Sequence, residues 1–558
     1  MNRRRLLRRT LLGSIALGAL LAGAGYGPAG ARAAGAGAVA PVPGAPAPQD
    51  AQPTATPIKH LVVIFDENVS FDHYFATYPQ AANPPGEPRF TALAGTPGVN
   101  NLVAAGLLKP AAGPAPFRLD RSQAATADQD HGYTAEQRAY NGGRNNRFPR
   151  FTGHGTKGAA GAFGTPAQVM GYFDGNTVTA LWMYAQHFTM SDNAWTDTYG
   201  PSTPGALEVV SGQTDGVRLV ASTKQPFTLA HPSYYIPDGA GGLALISDVD
   251  PAYDVCSNPR NQVMMTGRNI GDLLNAGGIS WGGFMGGFDL GVRNPNGTTG
   301  CGRDHLPAPV GHPVADYIPH HNWFQYYAST ANPKHLRPLA LATIGYSFAH
   351  SGRRDPANHQ YGLGDFYRAV QAGNFPSVSY IKLPAYQDGH AGYSDPLDEQ
   401  AGIVRLVNFL EHQPDWKNTA ILITWDDSDG WYDHAFAQPT RTSFDPQADQ
   451  LDGPGKCGTG PRPLGLAGKP VNGRCGPGTR LPFLVISPWA RANFVGHGQI
   501  TQASVVRFIE DNWLHGARLG GGSFDASTGS LMPLFDFKGG GHTPPLFLDP
   551  RTGEPVKG

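Results

Sequence analysis

Two apolar runs in this chain each end in a cluster of oxygen-bearing side chains. Lys59-His60-Leu61-Val62-Val63-Ile64-Phe65 leads into Asp66-Glu67-Asn68, and Thr419-Ala420-Ile421-Leu422-Ile423-Thr424-Trp425 leads into Asp426-Asp427-Ser428-Asp429. Short runs of β-branched and apolar residues bounded by polar ones predict buried strands. In open α/β sheets ligands sit beyond the carboxyl ends of the strands. Glu67, Asn68, Asp426 and Asp427 are thereby candidates for one shared site of hard oxygen ligands. Two adjacent carboxylates at a strand end repel each other unless a cation lies between them. The chemistry such a site supports is that of one divalent ion such as Mg, Ca or Mn. An EF-hand reading of Asp427-Ser428-Asp429-Gly430 fails, because it would put Trp425 at the first ligand position and Phe436 at the twelfth.

A nucleophile is offered by Gly200-Pro201-Ser202-Thr203-Pro204-Gly205. Ser202 stands just before a predicted helix from Gly205 to Val210, and backbone N–H groups at a helix start favour an anion. A serine there is otherwise a simple helix cap, and Thr203 is the next-best nucleophile. The Gly-x-Ser-x-Gly elbow of serine esterases is broken by Pro204. Histidines that bind phosphate oxygens and donate a proton are sought at His131, His320, His321 and His390. They are expected to act as imidazolium, with His434 a weaker candidate.

These segments resemble the bacterial phosphoesterase family of acid phosphatases and phospholipases C. The matching motifs run in order: Glu67-Asn68-Val69-Ser70-Phe71-Asp72, His131-Gly132-Tyr133, Gly200-Pro201-Ser202-Thr203, His320-His321-Asn322, Gln387-Asp388-Gly389-His390 and Trp425-Asp426-Asp427. They span roughly Ile58 to His515. The resemblance implies an alkaline-phosphatase-like fold and a metal held by Glu67, Asn68, Ser202, Asp426 and Asp427. It assigns the nucleophile to Ser202, where phospholipase relatives carry Thr. It implies an acid phosphatase working through a phosphoseryl intermediate, with a phospholipase C acting on phosphatidylcholine-like lipids as the alternative. A non-catalytic envelope-binding protein is the rival of another class.

The rest of the chain must position these groups. Helical patterns precede apolar strands at Ile270 to Leu274, Phe366 to Val370 and Ile403 to Leu410, and a further helix is expected over Asn176 to Phe188 with Asn176 as its cap. This alternation predicts an α/β fold with a largely parallel central sheet and helices on both faces. Gly/Pro-rich stretches over 217–358 and 435–480 read as long loop excursions over the catalytic edge. Formal net charge is −1, with 42 basic and 43 acidic residues, which excludes a basic field for nucleic acid. The expected partner is a phosphate-ester substrate, with transient phospholipid contact and no stable protein partner. Arg8-Arg9 before the apolar stretch Leu11 to Ala24 resembles a twin-arginine export signal over 1–33, which places the protein in the periplasm or outside the cell. A Pro/Ala/Gly-rich linker is expected over 34–57, the catalytic domain over 58–515 and a Gly-rich tail over 516–558. In an exported protein the four cysteines suggest disulfides, and sequence proximity favours Cys256–Cys301 and Cys457–Cys475 over the other pairings.

Overall fold

Seven strands with apolar or small residues facing into the sheet, plus two short edge pieces, build one large sheet. In chain order they are β1 (His60–Asp66), β2 (Thr189–Trp195), β3 (Trp281–Met285), β4 (Gln360–Gly362), β5 (Val378–Lys382), β6 (Thr419–Trp425), β7 (Arg480–Ile486), β8 (Phe494–Gly496) and β9 (Ile500–Thr501). The computed structural model describes residues 49–109, 114–156, 162–540 and 542–556. The expected export signal and most of the linker lie outside the described residues.

The spatial order is β4-β3-β5-β1-β6-β7-β2-β8, with β9 also on β2. All pairings are parallel except those of β7, which runs antiparallel to both β6 and β2. The sheet is therefore mixed, and the reversal falls at one strand. The central trio β5, β1 and β6 is parallel, so three neighbouring strands end on the same side. Every residue of β1 and of β6 is buried, as continuous apolar strands require.

The helices that matter for the site are α1 (Tyr133–Tyr140), α2 (Thr179–His187), α3 (Ser202–Ser211), α4 (Ile270–Gly277), α5 (Leu363–Gln371), α6 (Pro396–Glu411) and α7 (Ala503–Trp513). Helix α2 begins three residues later than expected, because Asn176 does not cap it. The Asn176 amide instead donates to Asn83 and to the Pro88 carbonyl. Helix α3 begins at Ser202 itself, three residues earlier than its apolar pattern suggests. Pro204 occupies its first turn, where a missing N–H costs nothing. Helix α6 is capped by Asp395, whose carboxylate accepts from Leu397 N and Asp398 N.

Order begins before Ile58. The Gln49 side chain donates to Tyr346 and Asn374, and Thr56 N donates to the Asn512 side chain. The Gly-rich tail is likewise part of the packed unit. Leu531, Leu534, Phe535 and Leu548 are buried in the main core, although no helical or strand period announces them. The disulfides Cys256–Cys301 and Cys457–Cys475 are both present.

Candidate active site

The carboxyl ends of β1, β5 and β6 deliver the charged groups of the site. Glu67 and Asn68 follow β1, Lys382 ends β5, and Asp426 and Asp427 follow β6. The loop after β5 returns Asp388 to the same place, where Glu67 N donates to the Asp388 carbonyl at 2.8 Å. Helix α3 brings Ser202 over these ends, and its close approach requires Gly205. A Cβ there would lie 2.2 Å from the Asp426 carbonyl oxygen. All these groups are almost completely buried.

The Ser202 hydroxyl lies 2.9 Å from Glu67 Oε2 and 3.3 Å from Asp427 Oδ2. Glu67 Oε1 accepts from the Lys382 ammonium and lies 3.1 Å from His321 Nδ1. Lys382 Nζ is also 3.9 Å from Asp426 Oδ2. Ser202 thus bridges Glu67 and Asp427, and Lys382 links Glu67 to Asp426, while the Asn68 amide faces His131. Asn68 Oδ1 and Asp426 Oδ2 are buried and accept no hydrogen bond. Around the Lys382 ammonium stand Glu67 and Asp426 within 4 Å, with Asp66 and Asp388 further out. Orphaned hard oxygens in a surplus of acid are what a divalent cation fits.

The proton affinities follow from this crowding. Burial opposes ionisation of Glu67, but the close contact with His321 Nδ1 and the Lys382 ammonium on the same oxygen override it and hold the carboxyl below the usual range. Burial pushes Asp426 well up, helped by the Glu67 charge. Burial likewise raises Asp427 to about 7, with His131 opposing, and Asp66 to about 8, with Lys382 opposing.

Four histidines reach the rim, but their pKa values are not all shifted the same way. His131 places Nδ1 3.1 Å from Asp429, and its Nε2 lies 3.5 Å from the Asn68 amide. Burial works against its charge, yet Asp427, Asp429 and Asp128 prevail and raise its pKa well above that of free imidazole. His320 lies 3.6 Å from Asp250; burial is again outweighed, here by Asp248 and Asp250, and its pKa is raised. His321 is lowered well below its ordinary value, mainly by burial, in spite of Glu67. His390 is lowered by burial too, with Nδ1 2.5 Å from the Ala391 carbonyl and its ring stacked on Tyr393 at 4.2 Å. The four histidines, expected as imidazolium, sit in different surroundings: neighbouring carboxylates raise the pKa of His131 and His320, while burial lowers that of His321 and His390. His434 belongs elsewhere, bound to Asp72 in a buried network with Asp433 and Arg480. The start of α3 is also less free than its position suggests, because Thr203 N already donates to Asp248 Oδ1 at 2.8 Å.

Three contributors went unread in the sequence. Lys382 carried the signal of any polar residue closing an apolar strand. Asp388 sat beside His390 in the same motif. Glu136 accepts from Gly200 N at 3.0 Å and from Ser428 at 2.8 Å, tying the nucleophile loop to the Asp426-Asp427 loop. Burial raises its pKa to about 8.

The profile of the Phosphoesterase family matches residues 58–514, so the chain belongs to that family. It is 26% identical over 463 residues to the non-hemolytic phospholipase C of Burkholderia pseudomallei, covering 82% of this chain and 55% of that protein. It is 24% identical over 517 residues to phospholipase C A of Mycobacterium tuberculosis, covering 90% and 81%. The non-hemolytic phospholipase C of Pseudomonas aeruginosa is 24% identical over 489 residues, covering 82% and 54%. The chain thus spans about half the length of two of these relatives. Among the described residues no helix is long and apolar enough to cross a membrane.

Proposed function

We propose that this protein is an exported, metal-dependent phosphomonoesterase of the acid phosphatase kind, with an alkaline-phosphatase-like sheet and Ser202 as nucleophile. The observation that carries the reading is the Ser202 hydroxyl at the first turn of α3, in contact with Glu67 and Asp427. Glu67, Asn68, Asp426 and Asp427, with the Ser202 oxygen, would hold one divalent cation. When bound, such an ion stabilises negative charge on the serine and on the phosphoryl group.

The chain's own groups supply the remaining chemistry. Ser202 Oγ attacks phosphorus, its proton passing to the adjoining carboxylates, and the bond from phosphorus to the leaving oxygen breaks. His131 and His320, whose pKa values the neighbouring carboxylates raise, are the groups suited to protonate the departing oxygen. Their positive charge, with that of Lys382, offsets the phosphoryl charge in a site from which burial excludes bulk water. His321 and His390, whose pKa values burial lowers, are suited to orient water or phosphate oxygens by hydrogen bonds. Attack of water on the phosphoseryl group then releases phosphate and restores the serine.

A second reading, a phospholipase C acting on phosphatidylcholine-like lipids, is favoured by the names of the relatives. Assaying a phosphomonoester and phosphatidylcholine side by side separates the two. Rapid acid quench should trap phosphate on Ser202 in the wild type and none in Ser202→Ala. Full turnover by Ser202→Ala would sink the covalent route.

A further inference from the structure

Beside the nucleophile loop lies a cleft of about 450 Å³ that the chemistry above does not use. Its floor includes Tyr133 and Ile246, and both pack against Gly200, two residues before Ser202. A Cβ on Gly200 would lie 3.2 Å from the Ile246 carbonyl and 3.7 Å from Tyr133 Cβ. One wall continues into His131 through Gly132. The opposite wall continues through Ser247 into Asp248, which binds Thr203 N. The cleft therefore borders the nucleophile loop at Gly200 and is lined by residues next in the chain to His131 and Asp248.

Its lining combines apolar surface with two arginines and a single carboxylate, Asp130. Phe151, Phe227 and Leu229 supply the apolar part, and Arg138 and Arg150 the charge. The Arg138 guanidinium lies over the Phe151 ring at 4.1 Å and that of Arg150 at 5.1 Å. Stacking occupies the guanidinium faces and leaves the N–H edges free to bind. Among the described residues neither arginine has an acidic partner within ion-pair distance. Arg138 has its pKa lowered by burial and by the neighbouring charges of Arg150 and Arg147, the mark of a cation lacking a counter-charge. Asp130, at the edge of the cleft, has Oδ1 engaged by Gly132 N at 3.1 Å. Ser233 is one of the lining residues, is 8% exposed, and its buried hydroxyl has no hydrogen-bond partner. A buried hydroxyl left unpaired is costly, so it marks a place where a ligand's polar atom belongs.

We infer that this cleft is a leaving-group subsite selecting phosphate esters whose alcohol carries an apolar or aryl body with a second anionic group, bound by Arg138, Arg150 and Ser233. The inference rests on the hydrolase reading above and deepens it. A neutral diacylglycerol would fill the apolar wall but leave both guanidiniums and the serine unmatched.

The test compares phenyl phosphate with 4-carboxyphenyl phosphate in wild type and in Arg138→Met/Arg150→Met. Intrinsic leaving-group reactivity cancels when the kcat/KM ratio for the two esters is compared between proteins. Loss of charge-assisted contacts should lower the preference for the carboxylated ester by roughly tenfold. An unchanged ratio overturns the subsite. Calorimetric titration with 4-carboxybenzylphosphonate, which is not hydrolysed, reads the same site without turnover, with benzylphosphonate as the uncharged-ring control. Binding should weaken by roughly tenfold in the variant for the carboxylated ligand only. If the wild type hydrolyses neither ester, the hydrolase reading fails, and the phosphonate titration still decides the subsite: equal binding by both proteins overturns it. Should the double variant not fold, Arg150→Met alone at its exposed position carries the same comparison, with a smaller shift in the same direction expected.

Discussion

Lys382→Met removes the fixed cation from the carboxylate cluster while keeping most of the side chain's volume. The ammonium and its partner Glu67 are both almost fully excluded from water, at 1% and 0% exposure of their side chains. Asp426 also lies 3.9 Å from the ammonium, but burial and the Glu67 charge push its pKa well up, so it shares less of the loss. One pair then dominates. Unit charges about 4 Å apart interact by roughly 4 kcal/mol at an effective dielectric constant of about 20. Removing one partner of a buried pair costs about 3–5 kcal/mol, because the other charge stays behind unpaired. Urea unfolding in the presence of a chelator should therefore show a loss of about 3–5 kcal/mol for Lys382→Met. Glu67→Gln should cost a comparable amount. The double variant should lose less than the two together, with a coupling of at least about 2 kcal/mol. Adding a divalent cation should narrow the gap between Lys382→Met and wild type, since the ion supplies the missing charge. A loss below about 1 kcal/mol, or strict additivity in the cycle, would refute the account of Lys382 as counter-charge to Glu67.

Further outcomes follow from other parts of the molecule. Chelation should abolish turnover and a divalent ion restore it, while Asp427→Asn should lower bound metal in elemental analysis; full activity in chelator would remove the metal from the reaction. Gly205→Ala forces a Cβ to within 2.2 Å of the Asp426 carbonyl, so it should displace α3, cut turnover at least about tenfold and destabilise by about 1–3 kcal/mol; a wild-type rate would show that the helix need not sit so close. His359 is buried, stacked on Trp281 at 4.4 Å, and burial lowers its pKa to about 4. Its folded value lies below the unfolded one, so the unfolded chain takes up the proton first and stability falls as pH drops from about 6.5 towards 4. Between about pH 7.5 and 5.5 this single group should cost the wild type roughly 1.3 kcal/mol that His359→Asn does not lose; parallel pH dependences of the two proteins would contradict it.

The sequence announced the strands of the site because β1 and β6 are buried on both faces and read as unbroken apolar runs ending in acid. Order at the two ends of the domain escaped notice for the opposite reason. Residues 49–57 and the segment around Leu531 to Leu548 are held by scattered contacts to distant residues, such as Gln49 to Tyr346 and Asn374, with no period to reveal them. The antiparallel turn of β7 was equally invisible, since an apolar strand carries no mark of its direction.

Within the site, legibility divided along a physical line. Which residues gather is fixed by strand ends and loop chemistry, and the motifs carry it. Which of them are charged is set by burial and by neighbours distant in sequence. His320 and His321 are adjacent in the chain, yet Asp248 and Asp250 raise the pKa of the first while burial beside Glu67 and Lys382 lowers that of the second. The same division accounts for Lys382. A lone lysine after Ile381 reads as the solvated end of a strand until the fold sets Glu67 against it. Once it is there, the acid surplus is smaller by one charge, and the proposed reading needs one divalent ion to complete the site, with the ammonium supplying the fixed positive charge beside it.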